Sequence, residues 1–264
     1  MEDHKNGASV QSIDRAFQIL ETLAECPQGL AIAALSTRLG LNKATVHRIL
    51  QTLVQWGYVS KDDQHHYYRL GMKVVALSSS YLNGLELKTE ALPFMEQLRQ
   101  QTGLFVHLGI LDGRDVVYLE KLGPFTHLRM YSQIGRRATL YSTSLGKAMF
   151  ARLDAREQSA LLAQIQFLPV TDKTIQSADR FLEEAAVTLR RGFALDDEEN
   201  ETGMRCVGAA ILDYTGRVIA AVSVSGHISS FPPEKVQAFG AYAAACASAI
   251  SAQMGYRPRD GMQL

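Results

Sequence analysis

Apolar residues near the start of the chain recur at the spacing of short α-helices. After Ser12, which we predict to be the N-cap, the first helix has an apolar face of Ile13, Phe17, Leu20 and Ala24. The stretch 27–29 (PQG) ends this helix, because proline and glycine both disfavour helix continuation. The pattern therefore predicts a first helix over about residues 13–24.

Two further helices follow at once. Residues 32–39 form a short second helix that closes at Gly40, a residue typical of the left-handed C-terminal cap. Asn42 is placed to cap the third helix, which runs to Gly57 on an apolar stripe of Val46, Ile49, Leu50 and Leu53. Short helices joined by a turn that contains glycine are typical of a helix-turn-helix. Residues 58–60 and 67–70 flank the polar stretch 61–66 and predict a hairpin, or wing.

The rest of the chain changes to β-like runs interspersed with helices. Pairs of strands are predicted at 105–111 with 115–121 and at 206–212 with 217–225, with a further strand at 128–132. Helices are predicted at 72–84, 87–101, 144–153, 155–164 and 177–191, and a last amphipathic helix near the C-terminus. The fold class is therefore α+β. The predicted domains are a winged helix-turn-helix at 10–71, a linker helix at 72–86 and an antiparallel sheet with flanking helices at 87–257.

The distribution of charge along the chain, and not the net charge, bears on the function. Lys and Arg number 27, as do Asp and Glu, so the net charge is zero. No acidic residue lies between Glu25 and Asp62, and the outer face of the third helix carries cations, amides and small residues. A solvated helix face is the alternative, but such faces usually mix charge signs, so we favour contact with DNA. The predicted DNA-binding residues are Asn42, Lys43, Ala44, Thr45, His47, Arg48, Gln51, Lys61 and Arg69.

Cysteine, histidine and apolar residues narrow the possible classes of protein and of binding site. Cys26, Cys206 and Cys246 are far apart without a C-x-x-C pair, which argues against a disulfide framework or a zinc site and favours a reducing compartment. The adjacent His65 and His66 point to opposite sides of a strand, so we expect contacts to the DNA backbone there and no metal. The polar N-terminus has no apolar h-region, so we do not expect a signal peptide, and no apolar run reaches the length of a membrane span. We expect a cytoplasmic protein without cofactor, metal or membrane partner.

Several motifs along nearly the whole chain resemble one family. They are residues 41–50 (LNKATVHRIL), 67–71 (YYRLG), 134–137 (IGRR), 142–148 (STSLGKA), 196–200 (DDEEN) and 203–207 (GMRCV). In this order they resemble IclR-type bacterial transcription regulators. Within that family, residues 106–109 (VHLG) and 128–132 (LRMYS) look similar to the regulators of 2-keto-3-deoxygluconate and related sugar acids.

The resemblance implies a winged-helix domain, a linker helix and a GAF-like effector domain. Members of the family typically dimerise through the DNA-binding half, form tetramers as dimers of dimers and bind palindromic operators. Most are repressors that a small metabolite controls, although activators and dual regulators also occur. The implied effector is a small organic acid, for which 2-keto-3-deoxygluconate or a related sugar acid is the first candidate.

The N-terminal end of the helix after residue 143 is one candidate effector site. Its first backbone N–H groups, at Ser144, Leu145 and Gly146, would attract a carboxylate, and Gly146 permits close approach to the backbone. Helix capping by the preceding serine and threonine uses the same groups and is the alternative. The motif is not a phosphate-binding loop, because the full glycine pattern is absent.

Other candidate effector residues come from the family pattern. Asp196 would accept hydrogen bonds from ligand hydroxyls, whereas Asp197 and Glu198 more readily belong to a solvated charged run. Ser223 and Ser225 share one strand face and would need partners if buried, which a polar ligand or, as the alternative, the neighbouring backbone would supply. Cys206 aligns with the pocket, and Met130 and Leu145 would supply apolar walls. His107 is either a ligand donor or a core histidine.

Two other classes of function compete with a regulator. An enzyme would use Cys206 as nucleophile and His107 as base, but nothing in the sequence brings them together, and the acidic run would raise the thiol pKa. A ligand sensor that no longer binds DNA would show a degraded recognition face, and this face is intact. We therefore predict a regulator with no catalytic residues.

Overall fold

The computed structural model describes residues 10–62, 64–83, 86–123 and 133–257. The chain divides into two compact units between Gly84 and Leu85. The helix predicted as a separate linker belongs to the first of these units by its contacts.

The N-terminal unit is a helix-turn-helix followed by a hairpin. Its elements are α1 (Gln11–Ala24), α2 (Ile32–Leu39), α3 (Lys43–Gln55), β1 (Val59–Asp62), β2 (Tyr67–Leu70) and α4 (Met72–Asn83). Gly40 closes α2 with a φ of 63°, and the Asn42 side chain accepts a hydrogen bond from the Ala44 N–H at 2.8 Å. β1 and β2 pair antiparallel. The predicted helix-turn-helix and hairpin are confirmed.

The first helix buries a different face from the predicted one. α1 begins at Gln11 without a side-chain cap, so Ser12 lies inside the helix. Ile13 and Phe17 are 51% and 60% exposed, whereas the buried residues are Ile19 and Leu23. The helix carries two apolar stripes at the same spacing, and the stripe that meets α2 and α3 forms the core.

The wing also differs in detail. Lys61 lies within β1 rather than in the turn, and His65 and His66 lie in the turn rather than in a strand. Because they do not lie in a strand, these two adjacent histidines need not point to opposite sides.

The C-terminal unit consists of a six-stranded sheet and helices. Its helices are α5 (Glu86–Thr102), α6 (Ser144–Arg152), α7 (Ala155–Leu162), α8 (Ala178–Arg191) and α9 (Val236–Gln253), with a 3-10 turn at Pro233–Lys235. Its strands are β3 (Phe105–Asp112), β4 (Asp115–Leu122), β5 (Arg137–Thr139), β6 (Ala194–Asp197), β7 (Met204–Leu212) and β8 (Val218–His227). All neighbours in the order β5-β4-β3-β8-β7-β6 are antiparallel. The predicted α+β class is confirmed.

Helix α6 fixes the geometry of this unit. It packs against β6, β7 and β8 and against α8, and eight of its residues are buried. The approach is close: a Cβ atom at Gly208 of β7 would lie 2.9 Å from the Ser144 carbonyl oxygen. Ser144, at the N-terminal end of α6, therefore lies directly over the sheet.

The sequence pattern missed β5 and β6, which are three and four residues long. Both are too short for an alternating pattern to stand out in the sequence, and β6 ends in two acidic residues. Ser177 is the N-cap of α8 rather than its first residue. The strand predicted at 128–132 lies outside the described residues.

Candidate functional site

The outer face of α3 presents a surface without carboxylates. Apart from the half-buried Thr45, the predicted DNA-binding residues of this helix are exposed: Asn42, Lys43, Ala44, His47, Arg48 and Gln51. The side-chain oxygen of Asn42 caps the helix, so its amide NH2 is the group that remains for DNA. The opposite face is buried on Val46, Leu50 and Leu53. A helix anchored in this way can lie in a major groove.

Asp62 organises the tip of the wing. One carboxylate oxygen accepts the N–H groups of Gln64 and His65 at 3.0 and 3.1 Å, and the other accepts Arg69 Nη2 at 2.9 Å. The hydrogen bonds from His65 hold the pKa of Asp62 below its usual value. Arg69, a predicted DNA-binding residue, is therefore already paired with a carboxylate. Lys61, another predicted DNA-binding residue, lies exposed on β1.

A cavity of about 420 Å³ lies between the sheet and the N-terminal end of α6. It is lined by six of the predicted effector-binding residues, namely Ser144, Leu145, Asp196, Cys206, Ser223 and Ser225. Met130, a seventh, lies outside the described residues. The volume falls in the range of small-molecule sites, about 300–1,000 Å³.

Strand register brings the polar residues of the cavity together. Asp196 of β6 is paired with Cys206 of β7, which is paired with Ser225 of β8. In the next row, Ser223 is paired with His107 of β3. Residues paired across antiparallel strands point to the same face, so these side chains converge although they are far apart in sequence.

Asp196 is a buried carboxyl group in the lining of the cavity. It is 2% exposed, and its Oδ1 accepts the N–H groups of Glu199 and Asn200 at 2.8 and 3.2 Å. Burial raises the pKa of Asp196 to about 7, although the nearby positive charge of Lys147 acts in the opposite direction. Near neutral pH this carboxyl group is therefore able both to accept and to donate hydrogen bonds to a ligand.

Cys206 does not have the environment of a nucleophile. Burial, and next the negative charge of Asp196, raise the pKa of its thiol well above the ordinary value. Because the thiolate is the reactive form, the thiol at this position is inert. His107 lies 3.4 Å from the Ser225 hydroxyl and its ring meets that of Tyr118 edge-on, so the cavity does bring Cys206 and His107 into one site. Burial lowers the pKa of His107 to about 3, which keeps the ring neutral.

Gly146 has a different role from the predicted one. Its N–H donates to Thr143 Oγ1 at 3.1 Å, as an N-cap bond. A Cβ atom at Gly146 would lie 2.1 Å from the carbonyl oxygen of Leu140. The glycine therefore permits close packing inside the protein, and the N–H groups of Ser144 and Leu145 remain the candidates for a carboxylate.

Three of the four acidic residues in the run 196–199 form ion pairs. Asp197 accepts Arg205 Nε at 2.8 Å, and Glu198 accepts Lys173 Nζ at 2.7 Å. Glu199 pairs with Lys147, whose side chain is 1% exposed and whose Nζ also donates to the Leu195 carbonyl at 2.8 Å. These are structural contacts, and of the four acidic residues only Asp196 lines the cavity.

Sequence reasoning missed several residues that line the cavity. They include Tyr118, Arg136, Arg137 and Asn200. A tyrosine near the middle of a strand, and arginines just before and at the start of a three-residue strand, give no local signal of a pocket. They reach the cavity only through the β3–β4–β5 pairing. Within the described ranges, no group of three or more His, Cys, Asp or Glu is placed to hold a metal ion.

Comparison with known protein families gives a match for each of the two units. The family model for the IclR helix-turn-helix domain matches residues 12–63, and the model for the C-terminal part of IclR bacterial transcriptional regulators matches residues 79–252. The chain belongs to the IclR family. It is therefore a DNA-binding transcription regulator with a C-terminal effector-binding domain, and it is not an enzyme.

Individual relatives of this IclR-family regulator cover almost its whole length. It is 36% identical over 247 residues to the HTH-type transcriptional regulator XynR of Escherichia coli, covering 94% of this chain and 98% of the relative. It is also 36% identical over 252 residues to the HTH-type transcriptional regulator KdgR of Escherichia coli, covering 96% and 95%. The crystal structure of Thermotoga maritima IclR is similar with a TM-score of 0.83 and 28% identity, covering 93% of this chain and 99% of the other. In the part of the chain that the structure describes, no helix is long and apolar enough to cross a membrane.

Proposed function

We propose that this regulator is a cytoplasmic repressor of an operon for the catabolism of a sugar acid or another small organic acid. A small carboxylate metabolite, 2-keto-3-deoxygluconate or a related sugar acid, binds in the cavity and controls DNA binding. The regulator assembles as a dimer of dimers on a palindromic operator. The observation that carries the proposal is the convergence, in one cavity, of the N-terminal end of α6 with Asp196, Ser223 and Ser225.

The cavity supports a hydroxylated acid in particular. The helix N-terminus at Ser144 and Leu145 favours a carboxylate, because its N–H groups and dipole are positive there. The serine hydroxyls and the Asp196 carboxyl group pair with hydroxyl groups of the same ligand. The motifs of residues 106–109 and 128–132, which resemble the 2-keto-3-deoxygluconate subgroup, support the same ligand class.

The proposed mechanism is a shift between two arrangements of the assembly. Ligand in the cavity favours one arrangement, and α4 transmits the change to the two winged helices of a dimer. In one arrangement the two α3 helices reach half-sites about one DNA turn apart, and in the other they do not. An activator, or a dual regulator, of the same operon would use the same contacts with the opposite outcome.

The DNA-binding half of the proposal predicts that Arg48→Ala weakens operator binding about 5- to 150-fold. The exposed guanidinium of Arg48 on α3 is suited to a bidentate base or phosphate contact, worth about 1–3 kcal/mol. Mobility-shift titration at fixed salt measures the change. Arg156→Ala, at an exposed position on α7, removes the same charge elsewhere and is expected to leave affinity unchanged. Unchanged affinity in Arg48→Ala would contradict the assignment of α3 to the major groove.

The effector half predicts that Asp196→Ala keeps operator affinity but loses the response to a sugar acid. Asp196 lines the cavity and is far in sequence from the DNA-binding unit. The measurement is operator binding with and without millimolar 2-keto-3-deoxygluconate or gluconate. A normal ligand response in Asp196→Ala would remove this residue from the site.

A further inference from the structure

Two hydrogen bonds connect Asp196 to the segment that leads into α6. The Ser142 hydroxyl, two positions before the first residue of that helix, donates to Asn200 Oδ1 at 3.0 Å. The Asn200 N–H in turn donates to Asp196 Oδ1 at 3.2 Å. Asp196 is therefore held close to the end of α6 at which the N–H groups of Ser144 and Leu145 are the candidates for a carboxylate.

The sheet also places Asp196 next to the first residue of α6. A Cβ atom at Gly208 of β7 would lie 2.9 Å from the Ser144 carbonyl oxygen and 3.2 Å from the Ser144 hydroxyl oxygen. Gly208 and Cys206 are two positions apart on β7 and share one face, and Cys206 is the cross-strand partner of Asp196. The Ser144 residue and the Asp196 side chain therefore cover neighbouring positions on the same face of the sheet.

The buried Asp196 carboxyl group has no charged partner of its own. Among the residues that the structure describes, none forms an ion pair with it. The nearby Lys147 donates instead to Glu199 and to the Leu195 carbonyl. The backbone N–H groups of Glu199 and Asn200 both donate to Asp196 Oδ1. A proton on this carboxyl group therefore belongs on Oδ2.

The other titratable side chains that meet Asp196 in the cavity stay neutral near neutral pH. Burial lowers the pKa of His107 to about 3 and raises the pKa of the Cys206 thiol well above its usual value. Burial also raises the pKa of the Tyr118 phenol. Burial raises the pKa of Asp196 to about 7, so the charge of this group changes between pH 6 and pH 8.

Charged groups on the elements around Asp196 act on it more weakly than burial does. Burial has the largest effect on the pKa of Asp196, and among charges Lys147 lowers it and Glu199 raises it. Burial raises the pKa of Glu199 too, but Glu199 is paired with Lys147 and does not line the cavity. The charged groups on these elements are Lys147 on α6, Glu184 and Arg191 on α8, Glu199 and Glu201 after β6, Arg136 before β5 and Arg137 at its start.

We propose that the effector binds together with one proton from solvent, which the Asp196 carboxyl group takes up. This inference rests on the proposed function, which places the ligand carboxylate at the N-terminal end of α6. An ionised Asp196 would then face a second carboxylate in one buried cavity, and two such groups do not both stay ionised at close distance. The ligand acid has an ordinary pKa of about 4 and gains N–H donors at the helix, so it stays ionised and Asp196 holds the proton.

The protonated form of Asp196 also supplies a donor. Its Oδ2–H donates to an oxygen atom of the ligand, while Oδ1 keeps both backbone N–H groups. Raising the pH removes this donor and introduces a negative charge that repels the acid. The affinity for the effector therefore falls as the pH rises through about 7, and the regulator responds to the same concentration of acid more strongly at pH 6 than at pH 8.

The test is calorimetric titration of the full chain with gluconate and with 2-keto-3-deoxygluconate at pH 6, 7 and 8. Each titration is done in two buffers of different ionisation enthalpy, because the difference in heat counts the protons taken up. We expect about half a proton per ligand at pH 7 and close to one at pH 8. The affinity is expected to fall about twofold from pH 6 to pH 7 and about fivefold from pH 7 to pH 8.

Two variants assign the proton to one residue. Asp196→Asn carries an amide in place of the protonated acid and is expected to bind without proton uptake, with an affinity that changes less than about twofold from pH 6 to pH 8. Glu198→Gln is the matched control in the same acidic run, since Glu198 is paired with Lys173 and does not line the cavity. This control is expected to keep the proton uptake and the pH profile of the wild type.

Several outcomes would contradict the inference. Binding to the wild type without proton uptake overturns it and leaves the proposed function in place, as does proton uptake that persists in Asp196→Asn or disappears in Glu198→Gln. Loss of binding at pH 6 in a folded Asp196→Asn variant shows that the ionised carboxylate is required, and it also overturns the inference. If neither acid binds to the wild type at any pH, the effector site itself is wrong and both proposals fail. Thermal unfolding of each variant without ligand shows that folded proteins are compared.

Discussion

Replacing Lys147 by methionine is expected to lower the free energy of unfolding by about 3–5 kcal/mol, since a buried ion pair then loses one partner. Lys147 is 1% exposed, and its Nζ donates to Glu199 Oε1 at 2.5 Å and to the Leu195 carbonyl at 2.8 Å. Without it, the Glu199 carboxylate, whose side chain is only 13% exposed, loses its ion-pair partner. Methionine is close in size to the lysine stem, so the loss reports on charge more than on volume. Urea unfolding followed by circular dichroism measures it.

Two further variants separate charge from packing. Lys147→Met combined with Glu199→Leu removes both charges and is expected to recover most of the lost stability. Lys173→Met breaks the pair with Glu198, in which the lysine is 54% exposed, and is expected to cost no more than about 1 kcal/mol. If the double variant is as unstable as Lys147→Met alone, packing around the lysine and not the unpaired carboxylate is responsible.

The Lys147–Glu199 pair could not be predicted from the sequence. The two residues are 52 positions apart, and in the sequence one belongs to a glycine-lysine motif and the other to an acidic run. Lysine side chains are rarely fully buried, so the burial of Lys147 could not be predicted from its residue type. Only the packing of α6 on β6 brings the charges together.

The helix-turn-helix was predictable because its signals are local. Gly40 and Asn42 mark the turn between α2 and α3 through their own backbone and side-chain preferences, and the structure shows both caps. The buried face of α1 was not predictable in the same way. Ile13 with Phe17 and Ile19 with Leu23 have the same spacing, and only the tertiary partners decide which pair is buried.

The residues of the cavity were partly predictable from the sequence. Asp196, Cys206, Ser223 and Ser225 followed from family resemblance and strand alternation, and the structure places them in one row or the next across β6, β7, β8 and β3. Gly146 also has a structural reason that the sequence did not indicate, since a Cβ atom there would collide with the backbone of Leu140. Tyr118 and Arg136 required the sheet order, which no single-strand pattern contains.

Asp196→Asn is expected to remove a pH dependence of stability. Burial raises the pKa of Asp196 to about 7 in the folded protein, against an ordinary value of 3.8. Between these two values the folded state holds a proton that the unfolded state has lost, so the stability of the wild type falls as pH rises from about 4 to about 7. Above pH 7 the full penalty is present, and it amounts to at most about 4 kcal/mol.

The asparagine amide resembles the protonated acid, and its oxygen is still able to accept the N–H groups of Glu199 and Asn200. The variant is therefore expected to match the wild type near pH 4 and to exceed it by up to about 4 kcal/mol at pH 8. Urea midpoints of both proteins across this range give a difference curve from which other titrating groups, such as His107, largely cancel.

Glu198→Gln supplies the control of opposite sign. Lys173 and the Gly203 N–H hold the pKa of Glu198 below its usual value, so the contribution of Glu198 is lost as pH falls. A flat difference curve for Asp196→Asn would show that Asp196 is solvated in the folded protein, and it would also remove the reason to expect a protonated donor in the cavity.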